Sequence, residues 1–171
     1  EGEDREVGVG VRRDRADLDA GGALVAQRDA DHGAAVDRAG AWDAVVQLAE
    51  THNARVFTAP MAGRGAFPED HRLFAGFLPA MREKIVSLLQ GHDVVFALGA
   101  PAFTYHVEGH GPHVPVGAKL VQLIDDPATA AWTPEGISAV GNIRLGVLDL
   151  LARPAPPARP LPAPRVESPR A

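Results

Sequence analysis

A helix end, a buried strand and a loop follow one another in Gly91-His92-Asp93-Val94-Val95-Phe96-Ala97-Leu98-Gly99-Ala100-Pro101-Ala102-Phe103-Thr104-Tyr105-His106. Gly91 can adopt the left-handed conformation that ends a helix, and residues 94–98 form an apolar run too short for a helix. The chain after this run therefore leaves the carboxyl end of a strand, where open parallel α/β sheets bind ligands. His106 lies on this loop and is the first candidate for a functional side chain.

Further short apolar runs predict strands at 56–59, 119–124 and 137–140. Segments with helical spacing of apolar residues lie between these strands, and residues 61–73, rich in Gly and charge, are predicted to form a loop. The alternation predicts an α/β fold with a Rossmann-like parallel sheet and helices on both faces.

Three helices are predicted from this spacing. The first follows a cap at Asp37, and the third runs over 143–152 after a cap at Asn142. The second covers 77–90 and has Pro79 in its first turn. The predicted buried residues are Trp42, Val45, Val46 and Ala49 in the first helix, and Leu78, Met81, Ile85 and Leu88 in the second.

The two ends of the chain differ in composition from the part between them. Residues 1–32 hold nine acidic and five Arg side chains with almost no apolar periodicity, which is too little apolar surface to offset the entropy of ordering. Residues 153–171 contain seven Pro, which favour extended polyproline geometry. We predict a poorly ordered tail over 1–32, one domain over 33–152 and a Pro-rich linker or tail over 153–171.

Composition narrows the possible partners. A net charge of −5 with scattered basic residues gives no reason to expect nucleic acid or an anionic membrane as a partner. The absence of Cys excludes disulfides, thiolate metal sites and Cys nucleophiles, and it is compatible with a reducing cytoplasm. No segment reaches the ~18 consecutive apolar residues typical of a membrane-spanning helix. We therefore expect a soluble, cytoplasmic protein.

Three histidines close together in sequence offer one candidate metal site. His106, His110 and His113 could hold Zn²⁺ with a water as the fourth ligand. Gly and Pro residues between them break any helix that would align the rings, and Glu108 is the only nearby carboxylate. A polar loop is the favoured interpretation, and no metal-ligating residue is predicted.

Other short motifs have simpler explanations than a cofactor site. Asp125-Asp126 could be a carboxylate pair, but adjacent side chains at a strand end point apart, and the following Pro favours a turn and a cap. Gly8-Val9-Gly10 and Gly63-Arg64-Gly65 lack the context of a dinucleotide fingerprint. Gly99-Ala100-Pro101 follows a strand as a phosphate loop does, but Pro101 removes an amide that would hold an anion. No cofactor-binding residue is predicted.

Three motifs together resemble one known family. They are Gly91-His92-Asp93-Val94-Val95, the Gly-Ala-Pro-x-Phe-x-Tyr-His pattern over 99–106, and Asp126-Pro127 after a strand. In combination they are similar to the central domain of thiamine-diphosphate-dependent decarboxylases, most closely to the benzoylformate decarboxylase family. The likeness runs from about residue 33 to 152. Related families use this domain for a flavin or nucleotide, whereas the benzoylformate decarboxylase type leaves it empty.

The resemblance implies that His106 is an acid/base group near the reacting carbon. In the whole enzyme it implies conversion of a 2-oxo acid such as benzoylformate to an aldehyde and CO₂, with thiamine diphosphate and Mg²⁺, in a homotetramer. The flanking pyrimidine- and diphosphate-binding domains would be the partners of this one. A Gly-Asp-Gly metal motif is absent from the sequence, so we expect no catalysis by this chain alone. The alternative is a free-standing Rossmann-like module that binds a nucleotide or serves assembly.

The resemblance also implies a helix and an apolar first strand within residues 1–32. Only Ala23-Leu24-Val25-Ala26 remotely fits, so the first strand is expected to be missing or degenerate. The bias toward Arg, Asp, Gly and Ala, with 15 Arg against 2 Lys in the chain, suggests a GC-rich gene read out of register here.

Overall fold

Five helices and eight strands are found in the residues that the computed structural model describes, which are 21–26, 28–29, 33–59, 67–103, 105–106, 109–154 and 157. The strands are β1 (Gly21–Ala26), β2 (Arg28–Asp29), β3 (Gly33–Ala34), β4 (Arg55–Thr58), β5 (Phe74–Phe77), β6 (His92–Leu98), β7 (Lys119–Ile124) and β8 (Ile137–Val140). The helices are α1 (Ala35–Arg38), α2 (Trp42–His52), α3 (Arg82–Leu88), α4 (Pro127–Ala130) and α5 (Ile143–Leu151).

Six strands form one sheet in the order β5-β4-β1-β6-β7-β8, and every neighbouring pair in it is parallel. The first strand is central and the chain builds outward from it in both directions, which is the doubly wound order of the Rossmann fold. Two buried clusters cover the sheet, one containing Ile85 of α3 and the other Val45 of α2 and Val147 of α5. The predicted α/β fold with helices on both faces is confirmed.

The first strand, expected to be missing or degenerate, is present at the centre of the sheet. β1 pairs with β4 over Ala23–Ala26 and with β6 over its whole length. Its central residues Ala23, Leu24 and Val25 are at most 2% exposed. A short apolar run is sufficient to form this strand, because the strands on both sides satisfy its backbone hydrogen bonds and both of its faces are buried. The prediction of an unassigned tail is therefore wrong for 21–26, while residues 1–20 lie outside the described residues.

The helix predicted over 77–90 begins later than expected. Phe74–Phe77 forms the edge strand β5, which pairs with β4, and α3 begins only at Arg82 after an extended Met81 at its N-cap. Pro79 therefore precedes the helix and does not lie in its first turn. In the sequence, the apolar residues of the short edge strand β5 and of α3 have the spacing expected of one continuous helix. This spacing led to the prediction of a single longer helix. Ile85 and Leu89 are the fully buried residues of this region, and Met81 and Leu88 are each 38% exposed.

The remaining predicted elements agree closely with the structure. β7 and β8 have the predicted bounds, β4 lies one residue earlier than predicted, and Gly91 has the left-handed φ of +81°. Asn142 caps α5, because its side-chain oxygen accepts a hydrogen bond from the Leu145 amide at 3.0 Å. Asp37 is not a cap: it lies within α1, and Ala41 is the N-cap of α2.

Most of the predicted Pro-rich tail, and residues 61–66 of the predicted loop, lie outside the described residues. Among the helices that the structure does describe, none combines the length and hydropathy needed to cross a bilayer.

Candidate functional site

The loop between β6 and β7 leaves the carboxyl end of the sheet beside the point where the strand order reverses. Gly99 begins this loop with φ +66°, and its amide donates to the Leu123 carbonyl at 2.8 Å. A Cβ on Gly99 would lie 2.7 Å from the Cβ of Ala35, at the start of α1. Glycine is therefore required twice over, by the backbone conformation and by the close approach of the helix.

The same turn is poorly suited to hold a phosphate. The Gly99 amide is already bonded within the sheet, Pro101 has no amide hydrogen, and Ala35 packs directly against Gly99. A phosphate loop needs several backbone N–H groups that converge on one anion. This geometry argues against a phosphate bound at the turn after β6.

Beyond this turn the loop carries His106 to the surface. Phe103 is 7% exposed and has φ +78°, an unfavourable conformation for a bulky residue, and its amide donates to the Pro101 carbonyl at 2.7 Å. The amide of His106 donates to the Ala80 carbonyl at 3.0 Å, just before α3. The residue itself is exposed, as expected for a loop that leaves the end of a strand. Its backbone is thus fixed to the domain while the residue stays outside the core.

Two neighbouring side chains of α3 hold the next part of the loop. Arg82 is 7% exposed, and its Nη1 donates to the Gly111 carbonyl at 3.2 Å. Its guanidinium carbon lies 5.1 Å from the centroid of the Tyr105 ring, a cation–π distance. Glu83 accepts a hydrogen bond at Oε1 from the His110 amide at 2.8 Å. This backbone hydrogen bond lowers the pKa of Glu83 because it stabilises the carboxylate.

The three histidines do not assemble into a metal site. His113 shares a hydrogen bond of 2.9 Å between its Nδ1 and the Tyr105 hydroxyl. His110 is held through its backbone, and both His106 and His110 are exposed. No group of three His, Cys, Asp or Glu residues within the described ranges could hold a metal ion. The zinc alternative raised by the sequence therefore finds no geometric support.

The two adjacent aspartates at the end of β7 point apart, as predicted. Asp125 forms an ion pair with Arg38, with 2.7 Å between its Oδ2 and the Nη2 of the arginine. Asp126 caps α4, because its two carboxylate oxygens accept hydrogen bonds from the amides of Ala128 and Thr129 at 3.1 and 3.0 Å. Their roles are a surface contact and a helix cap.

Gln122 is a buried polar residue that sequence reasoning did not single out. Its side chain is completely buried, and its Nε2 donates to the Ala100 carbonyl in the turn after β6. Its Oε1 accepts hydrogen bonds from Ser138 Oγ at 2.8 Å and from Thr133 Oγ1. One side chain thus joins the start of the His106 loop to β8. The signal was a lone amide inside an apolar strand, since such a residue requires buried partners.

The strand order and the position of this loop define a doubly wound Rossmann-fold domain with an exposed histidine beyond the carboxyl edge of its sheet. A family model described as "Thiamine pyrophosphate enzyme, central domain" matches residues 32–151, and the chain belongs to this family.

A curated relative and several solved structures extend this relationship. Over 127 residues the chain is 45% identical to benzoylformate decarboxylase from Pseudomonas aeruginosa, covering 74% of the chain and 24% of that relative. The chain thus spans about a quarter of the length of the curated relative.

Among solved structures, a putative thiamin diphosphate-dependent enzyme from Mycobacterium smegmatis is 34% identical with a TM-score of 0.77, covering 88% of this chain and 28% of that one. The thiamine diphosphate-dependent 4-hydroxybenzoylformate decarboxylase of Rhodococcus jostii RHA1 is 34% identical with a TM-score of 0.73, covering 86% and 27%. Benzoylformate decarboxylase from Polynucleobacter necessarius is 32% identical with a TM-score of 0.71, covering 79% and 24%.

Proposed function

We propose that this chain contributes the central domain of a thiamine-diphosphate-dependent decarboxylase that converts an aromatic 2-oxo acid of the benzoylformate type to an aldehyde and CO₂. The observation that carries the proposal is the 45% identity to a benzoylformate decarboxylase over 127 residues. Two of the similar structures are likewise named for benzoylformate or its 4-hydroxy derivative, which supports an aromatic substrate.

His106 is the residue of this chain that we assign to catalysis. It is exposed beyond the carboxyl edge of the sheet, and its amide is fixed to Ala80. An imidazole can give or accept a proton near neutral pH, and a positioned histidine typically contributes about 10²–10⁴-fold to a rate. An exposed residue on an anchored loop is well placed to meet a group held by a neighbouring domain.

Among the described residues of this chain we assign none to thiamine diphosphate or Mg²⁺. The sequence contains no Gly-Asp-Gly, and the described residues include no group of three His, Cys, Asp or Glu side chains that could hold a metal ion. The most obvious carboxylate pair is already used, since Asp125 pairs with Arg38 and Asp126 caps α4. We therefore assign the cofactor and its metal to flanking pyrimidine- and diphosphate-binding domains, and expect a cytoplasmic homotetramer in which this domain alone is not catalytic.

The cofactor assignment is tested by calorimetry on the chain itself. Titration with thiamine diphosphate plus Mg²⁺ should give no measurable heat of binding. Micromolar affinity that depends on Mg²⁺ would contradict it. Titration with ADP tests the alternative of a free-standing nucleotide-binding module, which the bonded Gly99 amide and Pro101 disfavour.

The catalytic role is tested in a complete enzyme. Residues 21–153 would replace the equivalent central domain of the Pseudomonas aeruginosa relative, and decarboxylation of benzoylformate would be measured. His106→Ala should lower kcat by at least about tenfold without unfolding the protein. The matched variants His110→Ala and His113→Ala should have little effect. An unchanged kcat for His106→Ala, or equal losses for all three variants, would refute the assignment.

A further inference from the structure

An apolar groove of about 490 Å³ lies between α2 and α5 on one face of the sheet. Its floor comes from β1, β6 and β7, and its walls include Leu48 of α2 and Leu150 of α5. The main apolar side chains of the floor are Leu24, Phe96, Val121 and Leu123. This α2–α5 groove has the volume typical of small-molecule pockets, which is ~300–1,000 Å³.

The groove lies at the amino edge of the sheet, away from the loop of His106. Gly22 is the second residue of β1, and Val94 and Val121 are early residues of their strands. His52 and Arg153, also in the lining, stand at or just beyond the last turns of α2 and α5. Helices that connect parallel strands run antiparallel to them, so their carboxyl ends meet this edge. The inference is therefore independent of the function proposed for His106.

Small residues on facing elements create the space. A Cβ built on Gly22 would lie 3.8 Å from the Cβ of Ala54, an ordinary contact, so this position of β1 has room for a side chain. A Cβ on Gly146 of α5 would lie 2.6 Å from the Cδ2 of Leu123, so that leucine reaches up to the helix backbone. Larger residues at Gly22 or Ala54 would fill the groove.

The charges at the mouth neutralise each other. Asp149 and Arg153 form an ion pair with 2.8 Å between Oδ2 and Nη2, and their side chains are 64% and 68% exposed. The floor beneath them is almost wholly apolar. A charged ligand would lose hydration against that floor, and the Asp149–Arg153 pair offers it no unopposed counter-charge.

We propose that the α2–α5 groove binds a small, uncharged aromatic molecule. Its ring system lies over the half-buried Phe96 and Val121, and a neutral polar end reaches the Asp149–Arg153 pair, which offers both a hydrogen-bond acceptor and donors. Size, apolar lining and a neutral mouth together select this class of ligand over carboxylates and amines.

The test uses the full 171-residue chain and three indole probes of similar size. Indole-3-ethanol is neutral, indole-3-acetate is an anion and tryptamine is a cation at pH 7.5. In a ¹H–¹⁵N NMR titration, indole-3-ethanol should give saturable shifts at the amides of Gly22, Leu24 and Gly146. It should bind at least about threefold more tightly than either charged probe, the scale of an exposed charge interaction.

Two variants and one control locate the binding. Gly22→Val should fill the groove and weaken binding of indole-3-ethanol at least about tenfold, equivalent to 1.4 kcal/mol. Gly146→Ala pushes the end of Leu123 into the groove and should also weaken it. Gly141→Val, where a Cβ meets nothing within 4 Å, should leave binding unchanged.

Four results would overturn the proposal. Three concern the 171-residue chain and its variants. They are the absence of saturable shifts, equal or tighter binding of a charged probe, and unaltered binding in Gly22→Val. A fourth is binding that arises only after removal of residues 1–20, because the occupant would then be the chain's own amino-terminal segment.

Discussion

The hydroxyl of Tyr105 and Nδ1 of His113 lie 2.9 Å apart, and this bond closes the β6–β7 loop on itself beside His106. The Tyr105 ring also lies beneath Arg82. Tyr105 is therefore contacted both by α3 and by a residue of its own loop. Tyr105 directly precedes the candidate catalytic residue. The order of the loop should therefore depend on this side chain more than on the histidines that surround it.

Tyr105→Phe should loosen the loop and leave the domain folded. The variant keeps the ring over which Arg82 lies and removes the hydroxyl that is hydrogen-bonded to His113, and loss of this bond costs about 1 kcal/mol. Hydrogen exchange at the His106 amide should become faster, because the loop opens more often. Tyr105→Ala removes both contacts and should accelerate it further. Identical exchange in the wild type and both variants would show that the loop is held without the Tyr105 side chain.

Glu83→Gln and Gly109→Ala should have the same effect on the His110 amide. The hydrogen bond from the His110 backbone amide to the Glu83 carboxylate is charge-assisted, and the uncharged side chain of Gln would weaken it. A Cβ on Gly109 would lie 2.3 Å from Glu83 Oε1 and would displace the same carboxylate. Each variant should accelerate hydrogen exchange at the His110 amide. The double variant should exchange little faster than either single variant. Additive effects would indicate that the two residues act separately.

The hydrogen bond between Glu83 and the His110 amide should persist below pH 4.5. The His110 amide lowers the pKa of Glu83 below its ordinary value of 4.5, so the folded carboxylate stays charged where the unfolded one is protonated. Protection of the His110 amide should be full above pH 4.5 and decline only as the pH falls through the lowered pKa. An NMR titration of Glu83 measures this directly, and a midpoint at or above 4.5 would contradict it.

Stability should decline as the pH falls below 6.5 because of His92. Burial lowers the pKa of His92 from 6.5, although its Nδ1–H donates to the Leu89 carbonyl at 2.8 Å. The unfolded state then binds a proton more readily than the folded state between the lowered pKa and 6.5, and that difference favours unfolding. The contribution is fully present above pH 6.5. The free energy of unfolding, measured by urea titration between pH 7.5 and 5, should fall less steeply in His92→Gln than in the wild type. An equal fall in the two proteins would assign the pH dependence to other groups.

The sequence was sufficient for the elements whose signal is local. β6, β7 and β8 are continuous runs bounded by turn residues, and Gly91 and Asn142 mark helix ends by their own conformation or side chain. β1 was underestimated because its short apolar run lies in a charged region, and only its pairing with strands 29 or more residues away stabilises it.

The contacts of the candidate site were beyond local reasoning for the same reason. Gln122 bonds a carbonyl 22 residues away, Arg82 one 29 residues away, and Glu83 an amide 27 residues away. No spacing rule connects such positions. The exposure of His106 could be predicted, since it follows from a loop that leaves the strand end, whereas the residues that anchor this loop required the fold. Its catalytic role stays a prediction.

Gly136→Ala should detach β8, whereas Gly117→Ala should be tolerated. Both glycines have left-handed backbones, with φ +84° and +90°, so alanine at either costs ~1–2 kcal/mol of strain. At Gly117 a Cβ meets nothing within 4 Å, but at Gly136 it would lie 2.2 Å from the Leu120 carbonyl oxygen, which is backbone of β7 and cannot move aside cheaply.

The clash at Gly136 should therefore be relieved by movement of the edge strand that follows it. All four residues of β8 are exposed, so β8 has little burial to resist separation from β7. Hydrogen exchange should show lost protection at Ala139 and at Gly141, whose amide donates to the Ile124 carbonyl of β7, in Gly136→Ala, with the central strand β1 still protected. Because Ser138 would leave Gln122, the turn at Ala100 should also exchange faster. Equal effects of the two glycine variants would show that backbone strain alone, and not the contact with Leu120, determines the cost.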